Sequence, residues 1–199
     1  MDTTRIICVG VGGQGNLLAS NLLGQTALRL GIPVVVSEIH GMAQRGGVVE
    51  SAVLMGDVTS PIVSDGECDI LLSFEPVETA RLLARCNKDS LVITNVQPLP
   101  PFTVSVGQGT YPSVDELLEK FRTKVRKMIT LRGNQIAEDV GNPLSLNMVM
   151  LGALIGSGAT PIGEEAMKET ISTMTKKAFL ESNLKAFEMG VGEAKKQAD

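Results

Sequence analysis

The chain is poor in the residues on which much enzyme chemistry relies: among 199 residues it has one histidine, one tyrosine, three cysteines and no tryptophan. A lone histidine, His40, cannot build a metal-histidine cluster, and any histidine acid-base role falls on it. Cys8, Cys68 and Cys86 are widely spaced. They form no Cys-x-x-Cys pair, zinc set or iron-sulfur ligand run, so any metal cluster must lie elsewhere. Tyr111 has Asp115 where the Tyr-x-x-x-Lys pair of short-chain reductases needs its lysine. The Gly-x-Ser-x-Gly elbow of serine hydrolases is missing, and no Walker A lysine follows the glycine cluster. Asp65-Gly66 is a turn dipeptide and lacks the Gly-Asp-Gly order that anchors thiamine diphosphate.

Basic charge is also scarce. Eighteen Lys and Arg face 22 Asp and Glu, giving a net charge of -4 and a pI near 5.1. This leaves no overall basic field, so no nucleic acid and no membrane surface is expected as a partner. The longest apolar stretch, Leu144 to Ile155, is shorter than the roughly 20 residues a membrane helix needs. The first apolar run, Ile6 to Val11, is committed to a glycine turn and does not read as a secretory signal. A cytoplasmic protein is expected, with one domain over residues 1–199.

The stretch that organises the chain is Arg5-Ile6-Ile7-Cys8-Val9-Gly10-Val11-Gly12-Gly13-Gln14-Gly15. Ile6 to Val9 reads as a buried strand, and Leu17, Leu18, Asn21, Leu22, Gln25 and Leu28 follow at helical spacing. A strand that turns into a helix through Gly10-x-Gly12-Gly13-x-Gly15 matches the glycine fingerprint of dinucleotide-binding folds. Glycine allows the tight turn and a close approach to phosphate, and the helix start offers free N–H groups and a positive dipole end.

Gly31 reads as the C-cap of that helix, and Pro33 to Ile39 reads as a second strand, completing a βαβ unit parallel to the first strand. Glu38, at its end, is placed to hold ribose hydroxyls as in NAD folds. Directly after it comes His40-Gly41-Met42-Ala43-Gln44-Arg45-Gly46-Gly47, a loop by composition that an NAD fold does not need. Arg45, beside two glycines, can grip phosphate or carboxylate with its planar fork.

Further strands are expected at Val48 to Met55, Asp69 to Phe74, Leu91 to Thr94 and Met128 to Leu131, with Pro76 opening a helix. Residues 97–113 break the rhythm as a long loop with a short extended piece at Thr103 to Val106. Ser113 to Glu116 is a capping box for a helix with Leu117, Leu118, Phe121 and Val125 inward. The run from Pro143 to Ile155, with Leu144 on one face, is a helix apolar on all sides that must be buried either within this chain or against a partner, and a subunit contact is expected there. The last segment reads as two helices, with stripes from Met167 to Ala178 and from Leu180 to Val191, or as one with a break near Ser182-Asn183. The fold class is α/β, a Rossmann-like three-layer sandwich with a largely parallel sheet.

The glycine cluster and the stretch Ser37-Glu38-Ile39-His40-Gly41-Met42-Ala43-Gln44-Arg45-Gly46-Gly47 together resemble the gamma subunits and domains of 2-oxoacid:ferredoxin oxidoreductases. The second stretch is most similar to the indolepyruvate branch of that family. Tyr111-Pro112, Gly141-Asn142-Pro143, Asn147 to Ala153, Asn183 to Phe187 and Gly190 fit the same pattern, so the resemblance covers almost the whole chain. It implies a CoA-dependent oxidative decarboxylation of a 2-oxoacid to an acyl-CoA, with electrons passed to ferredoxin. It further implies that this chain holds no cofactor. Thiamine diphosphate and iron-sulfur clusters would sit on a large alpha-type partner, which also meets ferredoxin, and coenzyme A would be the co-substrate.

The chain is then inactive alone, helps bind coenzyme A and covers the thiamine site. The expected binding residues are Gly12, Gly13, Gln14, Gly15, Arg45, Gly46 and Gly47, while His40 and Gln44 are candidates for a place at the reacting centre. Two other readings of the residues stay open: a free-standing NAD-dependent reductase, and an interaction module whose glycine loop binds no small molecule.

Overall fold

The computed structural model describes residues 3–40, 47–58 and 60–197, with His40 described by its backbone alone. Six strands form one sheet: β1 (Thr4–Val11), β2 (Val34–His40), β3 (Val48–Met55), β4 (Cys68–Ser73), β5 (Cys86–Asn95) and β6 (Lys127–Leu131), in the order β2-β3-β1-β4-β5-β6. The β1/β4, β4/β5 and β5/β6 pairs are parallel. β3 runs antiparallel to both β1 and β2. The expected parallel βαβ unit is therefore split, because β2 is joined to β3 by a connection too short for a parallel crossover. The strand that returns beside β2 takes the place next to β1, and β2 becomes the edge.

Helices cover both faces. Ile6 and Cys8 of β1 point to a large core shared with α1 (Asn16–Arg29), α6 (Leu146–Gly156), α7 (Glu164–Met174) and α8 (Leu180–Gln197). Ile7 and Val9 point to a smaller core with Leu82 of α2 (Pro76–Leu82) and Val125, just past α4 (Val114–Lys124). This alternation of one continuous apolar run between two cores makes the expected three layers. α1 turns Ala19, Leu22, Leu23 and Ala27 inward and leaves Leu18 and Leu28 exposed. It ends as expected at Gly31, whose φ is 70°; the Gly31 and Ile32 amides bond the Leu28 and Ala27 carbonyls.

Three further expectations need correction. Residues Phe102–Ser105 form a single helical turn, α3, where an extended piece was expected, because the Val104 and Ser105 amides bond back to the Pro101 carbonyl. The C-terminal segment forms two helices, as one of its two readings has it, parted at residues 175–179, where Thr175 is extended and Lys177–Phe179 makes a 3-10 turn; the alternative break fails, because Ser182 and Asn183 sit inside α8. The third concerns α6, preceded by α5 (Gly133–Asp139): every residue from Leu146 to Ile155 is buried within this chain. That helix supplies no subunit contact, and Leu144, expected on its face, precedes it and is 79% exposed.

α6 can be swallowed because α8 lies against it backbone to backbone. A Cβ at Gly152 would stand 2.0 Å from the Phe187 carbonyl oxygen, and one at Gly190 would stand 2.0 Å from that of Val149.

Candidate functional site

The carboxyl end of β1 runs into the glycine turn. The Gln14 side chain holds it, accepting from the Val11 amide at 2.8 Å and donating to the Phe74 carbonyl at 3.0 Å. The glycines there serve different ends. A Cβ at Gly10 would press on Phe74 and on Gln14, and one at Gly15 would meet the Asn147 amide at 2.8 Å. At Gly13, with φ of 105°, no atom of the described residues lies within 4 Å of an added Cβ. Its backbone is the part of the turn that an incoming group can approach. Among the described residues no side chain caps α1, and no acidic residue lies in its first turn, so its orphan amides and positive dipole end are not offset there by a described side chain.

The second motif arrives at the same place. The Gly12 amide donates to the Gly47 carbonyl at 2.9 Å, and Asn16 Nδ2 donates to the Val49 carbonyl at 2.7 Å. Gly12, Gly13, Gln14, Gly15 and Gly47 are thus brought together. Gln44, Arg45 and Gly46 lie outside the described residues, and His40 enters only as the end of β2, paired with Val49. Glu38 sits on the edge strand with β3 between it and β1. One strand spacing of roughly 4.8 Å removes it from the place a ribose-binding acid takes beside the glycine turn, which weakens the NAD reading.

Residues that sequence reasoning did not single out extend this edge of the sheet. Buried Asn95, at the end of β5, donates to the Phe74 carbonyl and to Asn134 Oδ1, and accepts from the Gly133 amide at 2.9 Å. The Phe74 carbonyl therefore ties the ends of β1, β4 and β5 together. The neighbouring Glu75, 1% exposed, accepts from the Val77 and Glu78 amides through one oxygen, and from the Leu99 amide and the Tyr111 hydroxyl through the other. Burial and the bond to Glu75 push the Tyr111 hydroxyl well above its ordinary pKa. Glu75-Pro76 is a visible helix-start signal; its bond to a tyrosine at the far end of the excursion carries no local signature.

Glu78 is raised above the ordinary carboxylate range by burial, only partly offset by Arg81 at 3.4 Å. One of its oxygens has no hydrogen-bond partner among the described residues. Because its folded-state pKa is raised, the wild type loses stability as pH climbs through the window above the usual carboxylate value. Glu78→Gln is expected to raise the thermal midpoint at pH ~8 and to lose most of that advantage at pH ~4, as differential scanning calorimetry would record.

The three thiols are buried and free, and burial pushes Cys8 up to about 12. Among the described residues, no group of three or more His, Cys, Asp or Glu could hold a metal ion. No described helix is long and apolar enough to cross a membrane.

Similarity to known proteins agrees with the two motifs. The family model described as pyruvate ferredoxin/flavodoxin oxidoreductase matches residues 5–193. Indolepyruvate oxidoreductase subunit IorB of Archaeoglobus fulgidus is 40% identical over 190 residues, covering 96% of this chain and 94% of that protein. Its counterpart in Thermococcus kodakarensis is 42% identical, with 98% of each chain covered. Among solved structures, the keto/oxoacid ferredoxin oxidoreductase gamma subunit from Geobacter sulfurreducens superposes with a TM-score of 0.69 at 26% identity, covering 96% of this chain and 98% of that one. The 2-oxoglutarate:ferredoxin oxidoreductase from Magnetococcus marinus, solved with 2-oxoglutarate, coenzyme A and succinyl-CoA bound, shares the fold at a TM-score of 0.76 and 20% identity. All of this chain is covered there, against 32% of that longer chain. With a matching model over nearly its whole length and end-to-end relatives at about 40% identity, the chain belongs to the pyruvate ferredoxin/flavodoxin oxidoreductase family.

Proposed function

We propose that the chain, as one gamma-type domain, is the small subunit of a heteromeric aryl-2-oxoacid:ferredoxin oxidoreductase acting on indolepyruvate. With a large partner it converts 2-oxoacid and coenzyme A to acyl-CoA and carbon dioxide, and two electrons pass to ferredoxin. The choice of substrate branch is supported by identity. Four relatives named for indolepyruvate are 38–42% identical to this chain, whereas those named for ketoisovalerate, pyruvate/ketoisovalerate or 2-oxoglutarate are 27–29% identical.

The observation that carries the role of this chain is the bond from the Gly12 amide to the Gly47 carbonyl, which fastens the second motif to the glycine turn. In this reading thiamine diphosphate and the iron-sulfur clusters belong to the partner, where they supply decarboxylation and electron transfer. This chain supplies the edge that meets them. The Gly13 backbone, the amides at the start of α1 and Arg45 are the groups proposed to form an anion site suited to the phosphates of coenzyme A. His40 and Gln44 are the proposed hydrogen-bonding groups toward the reacting centre. The reductase alternative is disfavoured by the displacement of Glu38 behind β3.

Arg45→Ala is expected to cost about 1.5–3 kcal/mol in coenzyme A binding by the reconstituted complex, the usual worth of a charged hydrogen bond. That is roughly a ten- to hundredfold rise in the apparent Kd, with assembly unchanged. Unchanged affinity together with failed assembly would make Arg45 an interface residue and remove it from the anion site.

A further inference from the structure

The opposite flank of the sheet carries a feature that the proposed chemistry does not use. β6 is the last strand, with one side paired to β5 and no described strand on the other. The Val96 amide bonds the Leu131 carbonyl, so Leu131 turns its peptide groups toward β5, and by alternation Met128 and Thr130 turn theirs outward. At Thr130 the Gln197 carboxamide already plays the part of a neighbouring strand. It accepts from the Thr130 amide at 3.0 Å and donates to its carbonyl at 2.9 Å. The next outward pair, at Met128, has no hydrogen-bond partner among the described residues.

Met128 lies on the wall of an open hollow of about 620 Å³, also lined by Lys88, Arg122, Lys124 and Arg126, with no carboxylate among the described residues of the lining. Arg122 is engaged by Glu119 at 2.7 Å. Among the described residues no carboxylate comes within ion-pair distance of Lys88, Lys124 or Arg126, although Asp69 and Asp89 line the adjoining hollow on the far side of Arg126. In a chain of net charge -4 this is a local inversion of sign.

We propose that this strand edge with its basic flank is a docking surface for an extended acidic segment of the large partner subunit, added beside β6 as a further strand. It rests on the reading of this chain as one subunit of a heteromer. The free Met128 amide and carbonyl supply main-chain pairing, and the cations select acidic side chains at alternate positions. The competing use of such cations is to keep an exposed edge from pairing with anything.

Hydrogen exchange separates the two. In the native complex the Met128 amide is expected to exchange at least about tenfold more slowly than in the free chain. Lys88→Glu combined with Arg126→Glu, both exposed positions, is expected to weaken assembly by about tenfold or more at low salt without moving the thermal midpoint of the free chain. Zero-length carbodiimide cross-links from Lys88 and Lys124 should converge on one acidic stretch of the partner. An intact complex with Met128 unprotected, or with no such cross-links, overturns the docking surface and leaves the subunit reading standing. A wild-type chain that co-purifies with no partner overturns both.

Discussion

Gly152→Ala is expected to lower the unfolding free energy by about 3 kcal/mol, with Gly190→Ala costing a similar amount, at the upper end of what overpacking usually does. The reason lies in what each new methyl group would strike. At both positions the obstacle, 2.0 Å away, is a backbone carbonyl oxygen of the facing helix, which has no rotamer to move into. α6 and α8 must therefore separate, and α6 is the most enclosed helix of the larger core. At roughly 2–4 °C per kcal/mol for a chain of this size, each variant should melt about 6–12 °C lower. Gly192→Ala, on the same α8 but with nothing within 4 Å of its added Cβ, is the control. It should be neutral or up to about 1 kcal/mol more stable, since alanine is the better helix former. Urea melts of the three variants read the free energies and thermal melts read the midpoints.

Glu75→Ala is expected to cost about 3 kcal/mol as well, for a different reason. Its carboxylate gathers four donors: two amides at the start of α2, the Leu99 amide and the Tyr111 hydroxyl. Removing it leaves those donors buried or partly buried without an acceptor, and unmade bonds cost more than made ones gain. Glu75→Gln should not rescue most of the loss. The amide keeps one acceptor oxygen and turns an NH2 group toward one of the two donor pairs. Tyr111→Phe, which removes a single donor, should cost about 1 kcal/mol. Because two of the four bonds hold the excursion over residues 97–113 to the sheet, limited proteolysis of Glu75→Ala should cut first within that segment.

How far the sequence could be read depends on whether the governing interaction is local. The strand-turn-helix at Ile6 to Leu28, the Gly31 cap and the Ser113 cap are set by neighbours in the chain, and they stand where periodicity and glycine placed them. The insertion of β3 between β1 and β2 is a choice of strand partner. Nothing in Val48 to Met55 states that choice, since a buried β-type run fits either place. The apolar wrap of α6 announced a helix needing cover on all sides, but only the glycines at 152 and 190, spaced 38 residues apart in separate helices, reveal that α8 provides it. At the site, Gly12 to Gly15 and Gly47 were legible as motifs. Asn95 and Glu75 were not, because an amide or carboxylate acquires its role only when strands far apart in sequence bring their carboxyl ends together.

Indolepyruvate oxidation measured with coenzyme A and a ferredoxin acceptor, for this chain alone, its large partner alone and the two reconstituted, is the most direct test of the role assigned here. The expected result is coenzyme A-dependent turnover only when both are present, with Arg45→Ala raising the coenzyme A requirement. Turnover by the isolated chain, nicotinamide-dependent reduction by it, or full activity of the large subunit without it would contradict that role.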